Sequence, residues 1–182
     1  MSVVVEKKRI RKEKRDLRNS IDPELKNEWD KSIVIQLMGI LSQHEIKVVH
    51  CYLPMGSEVD VLPFIKYVLD HKIVVVCPKT LPNRLLEHRV LKSLDELEEG
   101  VMKTFHPKHP TIYTGKYDLI IVPGLAFDLK NYRLGYGGGY YDGFLAQHES
   151  ALKVGVFYSF QVVDLVPIES HDLALDFVIT PV

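Results

Sequence analysis

The chain has 182 residues, of which 46% are hydrophobic and 26% charged, with a formal net charge of -1. This length suits one domain of roughly 100–200 residues, and the apolar fraction excludes wholesale disorder, collagen-like repeats and low complexity. No apolar run approaches the ~18–20 residues that span a bilayer, and the charged amino terminus lacks a secretory pattern, so a cytoplasmic chain with no membrane partner is expected.

The near-neutral total hides a split. Residues 1–18 carry eight basic side chains against three acidic ones, which makes that segment +5 and leaves -6 for the remainder. A neutral total excludes a uniformly basic nucleic-acid binder but leaves room for an anion site at the amino terminus.

In chain order, Val3 to Asn19 reads as a helix of good formers, with Ile10 and Leu17 a heptad apart on one side. Asp22 followed by Pro23 is an N-cap with proline at the first helical position, and Leu25, Trp29, Ile33, Leu37, Ile40 and Leu41 then follow helical spacing. Val48 to Leu53 predicts a buried strand, Val59 to His71 a helix, and Ile73 to Cys77 a second buried strand stopped by proline. Arg89 to Leu91 suits a short strand. Ser93 to Glu96 has the pattern of a capping box that opens a short helix reaching Gly100, and Val101 to Lys116 reads as irregular loop. Leu119 to Val122 and Val154 to Tyr158 are further strands, separated by a glycine-rich loop and a helical stretch from Gly139 to Gln147. Gln161 to Leu165 suits a helical turn, and Phe177 to Thr180 a last strand. The alternation predicts a single-domain α/β fold, a three-layer sandwich around a mostly parallel, open Rossmann-like sheet. Cys51 and Cys77 fall inside apolar runs and are expected to be buried thiols.

The segment Arg133-Leu134-Gly135-Tyr136-Gly137-Gly138-Gly139-Tyr140-Tyr141-Asp142 carries the most chemistry. Glycines let a ligand approach the backbone, and a run of free N–H groups cradles phosphate, with Arg133 able to add a charged fork. The spacing is neither a Walker A motif nor a dinucleotide fingerprint. Asp142 reads either as a Mg²⁺ ligand beside a bound triphosphate or as a carboxylate stabilised at a helix start. Asp172 is a second metal candidate, although by spacing alone a loop aspartate. Lys7, Arg11 and Arg18 share a helix face, which is either solvated or clamps phosphate over the glycine loop. Glu58, beyond the carboxyl end of the first strand, suits either hydrogen bonds to a heterocycle, beside an apolar slot of Leu53 and Met55, or a helix cap. His106 and His109 lack a zinc-completing set, Ser159 and Ser170 lack a nucleophile elbow, and Trp29 belongs to the core.

Taken together, these segments resemble the 5-formyltetrahydrofolate cyclo-ligase family. Lys7-Lys8-Arg9-Ile10-Arg11 looks like its K-x-x-x-R, with Arg18 following. Tyr52 to Asp60 looks like its substrate segment, Val122 to Asp128 with Arg133 to Asp142 like its signature, and Glu169 to Asp172 with Thr180 like its tail. The resemblance implies ATP held by Lys7, Lys8, Arg9, Ile10 and Arg11 and by Arg133, Leu134, Gly135, Tyr136, Gly137, Gly138, Gly139, Tyr140 and Tyr141. It also implies Mg²⁺ on Asp142 and Asp172, folate contacts at Arg11, Leu53 and Glu58, and catalytic roles for Arg11 and Arg133. The reaction implied is ring closure of 5-formyltetrahydrofolate to the 5,10-methenyl form through an imino-phosphate. Its substrate is a small molecule with or without a polyglutamate tail, and the enzyme a monomer or weak homodimer. Gly143 stands where many members have Arg, Asn131 replaces a turn glycine, and residues 101–107 lack the usual Gly-Ile-x-Glu-Pro. A paralogue acting on another acylated substrate and a non-enzymatic nucleotide- or RNA-binding module are the competing readings.

Overall fold

The computed structural model describes residues 2–169 and 172–182; Ser170 and His171, within the Glu169–Asp172 motif, lie outside the described residues. Helix α1 (Val3–Asn19) and helix α2 (Pro23–Gln43) start the chain, and Asp22 Oδ1 accepts the N–H groups of Glu24 and Leu25 as the Asp-Pro pair predicts. Strand β1 (Val48–Cys51), helix α3 (Leu62–Asp70), strand β2 (Val74–Thr80) and strand β3 (Leu86–Leu91) follow. Strands β4 (Leu97–Glu99) and β5 (Phe105–Pro107) form a small ribbon. The chain then runs through β6 (Leu119–Val122), β7 (Ala126–Phe127), β8 (Arg133–Leu134), α4 (Tyr140–Ala146), β9 (Leu152–Val156) and β10 (Phe177–Ile179).

The central sheet has the order β10-β9-β6-β1-β2-β3, parallel throughout except for the antiparallel edge strand β3. Strand alternation sends side chains to two cores. Val49, Cys51, Leu119, Ile121, Val154 and Val156 join the core beneath α2 and α3. Ile120 and Val122 face the opposite core with Phe144 and Leu145 of α4. Both cysteines are free and buried, and Trp29 packs against Tyr158 and Phe160 beside the first core. Among the described residues no helix is long and apolar enough to cross a membrane.

Five local expectations give way to tertiary context. Leu17 is exposed, because the buried stripe of α1 runs through Lys7, Ile10, Lys14 and Arg18 instead. Strand β2 continues through Pro78: its pairing with β1 stops at Val76, and beyond that point only β3 is its partner. The capping pattern at Ser93 yields only one 3₁₀ turn, Leu94–Glu96, since the Glu96 carbonyl accepts Lys108 N–H instead of continuing a helix. The expected loop after Gly100 contributes β5, and the helical turn anticipated at 161–165 occurs as Ser159–Gln161.

His50 on β1 is fully buried and shares a hydrogen bond of 3.1 Å with His88 on β3, with Phe144 against both rings. Burial, reinforced by the other nearby histidines, holds both imidazoles below their ordinary range, His88 at about 4. The unfolded chain therefore binds protons from about pH 6.5 downward that the folded protein refuses, and stability falls as pH drops through that window. Urea unfolding should show a loss of about 2 kcal/mol between pH 7 and pH 5. His88→Gln should make this pH dependence shallower.

Candidate active site

The first strand order reversal of the sheet lies between β1 and β6: α3 carries the chain from β1 to β2 on one side, while β6 joins β1 on the other. Such a switch point leaves a crevice beyond the carboxyl ends of the two strands. The Tyr52–Glu58 segment leaves β1 there, and the Pro123–Tyr141 segment leaves β6.

The second segment is not the open loop that its glycines suggest. Asp128, 1% exposed, accepts Lys130 and Tyr132 N–H on Oδ1 and Val166 N–H on Oδ2. Asn131 adopts φ 63°, as a substitute for a turn glycine must, and β7 and β8 pair as a hairpin. The Asp128…Asn131 spacing is the sequence signal that would have revealed this turn. The hairpin delivers Arg133 inward, where its guanidinium donates to Asp142 Oδ1 at 2.7 Å and to the Leu173 carbonyl at 3.3 Å. Burial pulls the Arg133 pKa down, against the pull of Asp142. Arg133 thus orders the start of α4 and holds Asp142 in place.

Helix α1 closes the crevice. Ile10 packs on Ala126, Leu134 and Val166, and cations make the remaining buried contacts. Lys7 Nζ donates to Glu169 Oε2 at 2.8 Å and Asp172 Oδ2 at 3.1 Å; burial disfavours its charge, but the two carboxylates outweigh this and raise its pKa. Arg11 Nε donates to the Gly135 carbonyl at 2.8 Å. Gly137 has φ +96°, and a Cβ there would lie 3.1 Å from Arg11 Cζ, so the loop comes close to the guanidinium only because this residue is glycine. Burial, and then Arg15, lower the Arg11 pKa, while the charges of Asp172, Asp142 and Glu169 counter them. Arg18 donates to Ser57 Oγ, the Gly124 carbonyl and the Tyr136 hydroxyl. The structure therefore brings Arg11 and Arg18 onto the glycine loop, while Lys7, on the same stripe, reaches Glu169 and Asp172 instead. Arg9 turns outward to Glu6 and Glu13, Lys8 is exposed, and Lys12 pairs with Asp16.

Glu58 is 4% exposed; its Oε2 accepts Met55 N–H at 2.8 Å, and its Oε1 accepts the Tyr136 hydroxyl. Burial raises the Glu58 pKa, while Tyr136, Met55 N–H and Arg18 work against that rise. Leu53 is buried in the adjoining core. The Tyr136–Glu58 link and the part of Ser57 are contacts that spacing did not reveal. The Tyr141 hydroxyl is buried with no hydrogen-bond partner among the described residues, and its ring packs against the second core near His50. A Cβ at Gly143 would meet nothing within 4 Å, so no clash explains its replacing the usual Arg.

Among the described residues no group of three or more His, Cys, Asp or Glu side chains could hold a metal by itself. Mg²⁺ asks for less, because phosphate oxygens and water complete its shell around one or two carboxylates, and Asp142 and Asp172 fit that donor set. Replacing Asp142 by Leu leaves the buried Arg133 charge without its carboxylate and should destabilise the fold by about 3 kcal/mol. Asp142→Asn keeps an acceptor oxygen and should cost less than half as much, with urea unfolding as the measurement.

Comparison with known proteins identifies the family. The 5-formyltetrahydrofolate cyclo-ligase family model matches residues 3–181. The chain is 29% identical to the 5-formyltetrahydrofolate cyclo-ligase of Escherichia coli strain K12 over 92% of its own length and 96% of the relative's. It is 31% identical to that of Mycolicibacterium smegmatis over 80% of each chain. Among solved structures, the 5,10-methenyltetrahydrofolate synthetase of Aquifex aeolicus superposes with a TM-score of 0.82 at 31% identity, covering 94% of this chain and 88% of that one. The Mycoplasma pneumoniae synthetase gives 0.78 at 27% identity, covering 96% and 98%. With a family model spanning nearly its whole length, this chain belongs to the 5-formyltetrahydrofolate cyclo-ligase family.

Proposed function

We propose that the protein uses Mg²⁺-ATP to close 5-formyltetrahydrofolate into 5,10-methenyltetrahydrofolate, releasing ADP and phosphate. The observation that carries this reading is Arg11 lying on the glycine loop, between the Gly135 carbonyl and Gly137, within the field of Asp142, Asp172 and Glu169. A formamide oxygen is a poor leaving group. One phosphoryl group from ATP turns it into phosphate, so that N10 closes on the formyl carbon while the C–O bond breaks and the N10 proton is released.

This chemistry asks the protein for position and charge rather than for a nucleophile. The glycine loop offers backbone N–H groups to phosphate oxygens, and Arg11 supplies a cation at the transferring group. Lys7 holds Asp172 and Arg133 holds Asp142, which orients the two carboxylates that would bind Mg²⁺. Bound there, the ion offsets phosphate charge. Glu58 and Leu53, at the β1 side of the crevice, form the folate subsite. Arg9 and Lys12 on the outward side of α1 are already paired with Glu6, Glu13 and Asp16, which favours this reading over a polynucleotide-binding surface.

Incubation with Mg²⁺-ATP and 5-formyltetrahydrofolate should generate methenyl absorbance, and absence of product would remove the proposal. Arg11→Ala should lower kcat by about 100-fold or more while leaving the melting temperature nearly unchanged. Glu58→Gln should raise KM for the folate about tenfold with kcat largely kept. An effect on kcat alone would contradict a binding role for Glu58.

A further inference from the structure

We infer that Tyr136 is a positioning residue for Glu58: its hydroxyl, ordered by Arg18, holds the buried carboxylate as a double acceptor facing the pterin ring. This rests on the folate reading of the Glu58 subsite. The order of the three groups follows from donor chemistry. An arginine only donates, so Arg18 Nη2, 2.7 Å from the Tyr136 hydroxyl, occupies a lone pair of the phenol oxygen. The single phenol proton is then directed to Glu58 Oε1. Met55 N–H donates to Oε2 at 2.8 Å, so both carboxylate oxygens are acceptors and each retains a further lone pair.

A 2-amino-4-oxopyrimidine edge presents two parallel N–H donors, which match a carboxylate held in this way and not a carboxylic acid. Around Glu58 stand Arg18 from α1, Tyr136 from the loop after β8, Tyr52 from the end of β1 and Tyr141 from the first turn of α4. Tyr52 gives its proton to the Val59 carbonyl at 2.9 Å. Arg18 is thus the cation opposing burial, and Tyr136 is the side chain that applies a direct hydrogen bond. The Tyr136 ring is partly exposed, with the Arg18 and Arg15 guanidinium groups over it at 5.6 and 5.9 Å. Removing its hydroxyl therefore leaves the packing in place.

The test is Tyr136→Phe, followed by a ¹³Cδ NMR titration of glutamate-labelled protein in which Glu58→Gln identifies the Glu58 signal. The Glu58 midpoint should move upward in Tyr136→Phe relative to the unsubstituted protein. In parallel, KM for 5-formyltetrahydrofolate should rise about tenfold, with kcat within about twofold. The acid limb of kcat/KM should move to higher pH. In a Glu58→Gln background, Tyr136→Phe should have no further effect on the pH profile. An unmoved Glu58 midpoint, or a change in the ATP KM instead of the folate KM, would overturn the inference. Lack of product from the unsubstituted protein would overturn the reaction, while the NMR titration would still decide the Tyr136–Glu58 link.

Discussion

Burying three cations on one stripe of α1 is the demand that the rest of the crevice meets. A buried charge without a partner costs far more than an apolar contact returns, so the head groups of Lys7, Lys14 and Arg18 each need an acceptor. The chain supplies them from widely separated loops: Glu169 and Asp172 for Lys7, the Phe160 carbonyl for Lys14, and Ser57, Gly124 and Tyr136 for Arg18. Each acceptor must be oriented to serve, and several are oriented by buried groups of their own. Gln161, for example, ties the Gly124 and Leu125 carbonyls to the turn after β9. Helix and loops therefore determine one another's positions, and an apolar helix of the same length would take from the Phe160 carbonyl the donor that Lys14 supplies.

The sheet was legible because its strands are covered on both faces, and such strands read as unbroken apolar runs. Leu119 to Val122 and Val48 to Cys51 are of this kind. Legibility failed where a decision depended on a distant partner. Pro78 marks a strand end only if both edges need its N–H, and β1 does not extend that far. Ser93 makes its capping bond, yet Lys108 N–H claims the carbonyl that a longer helix needs. Leu17 lost to Lys14 and Arg18 because acceptors wait beneath that part of α1: the Phe160 carbonyl, Ser57, the Gly124 carbonyl and Tyr136.

The site was legible to a similar degree. Residue types in the Arg133–Asp142 segment pointed to an anion cradle, but not to the inward turn of Arg133, which depends on the Asp128 hairpin. The side chain at the entrance of the motif thereby supports Asp142 from behind, while Arg11, 124 residues away in sequence, faces the cradle. Glu58 was recognisable as a carboxylate beyond a strand end. Its coupling to Tyr136 spans 78 residues and has no signature in spacing.

The contacts of α1 also bear on biosynthesis. It is the first helix of the chain, yet its partners lie 162, 146 and 118 residues downstream in Glu169, Phe160 and Tyr136. Contacts of such sequence separation form late, after shorter-range pairings have reduced the cost of closing the loop. During translation α1 therefore waits, undocked and highly charged, until Tyr136, Phe160 and Glu169 have emerged. Its cations keep it soluble over that interval where an apolar stripe would invite aggregation. The crevice therefore gains its basic wall only after Phe160, Glu169 and Asp172 have been made.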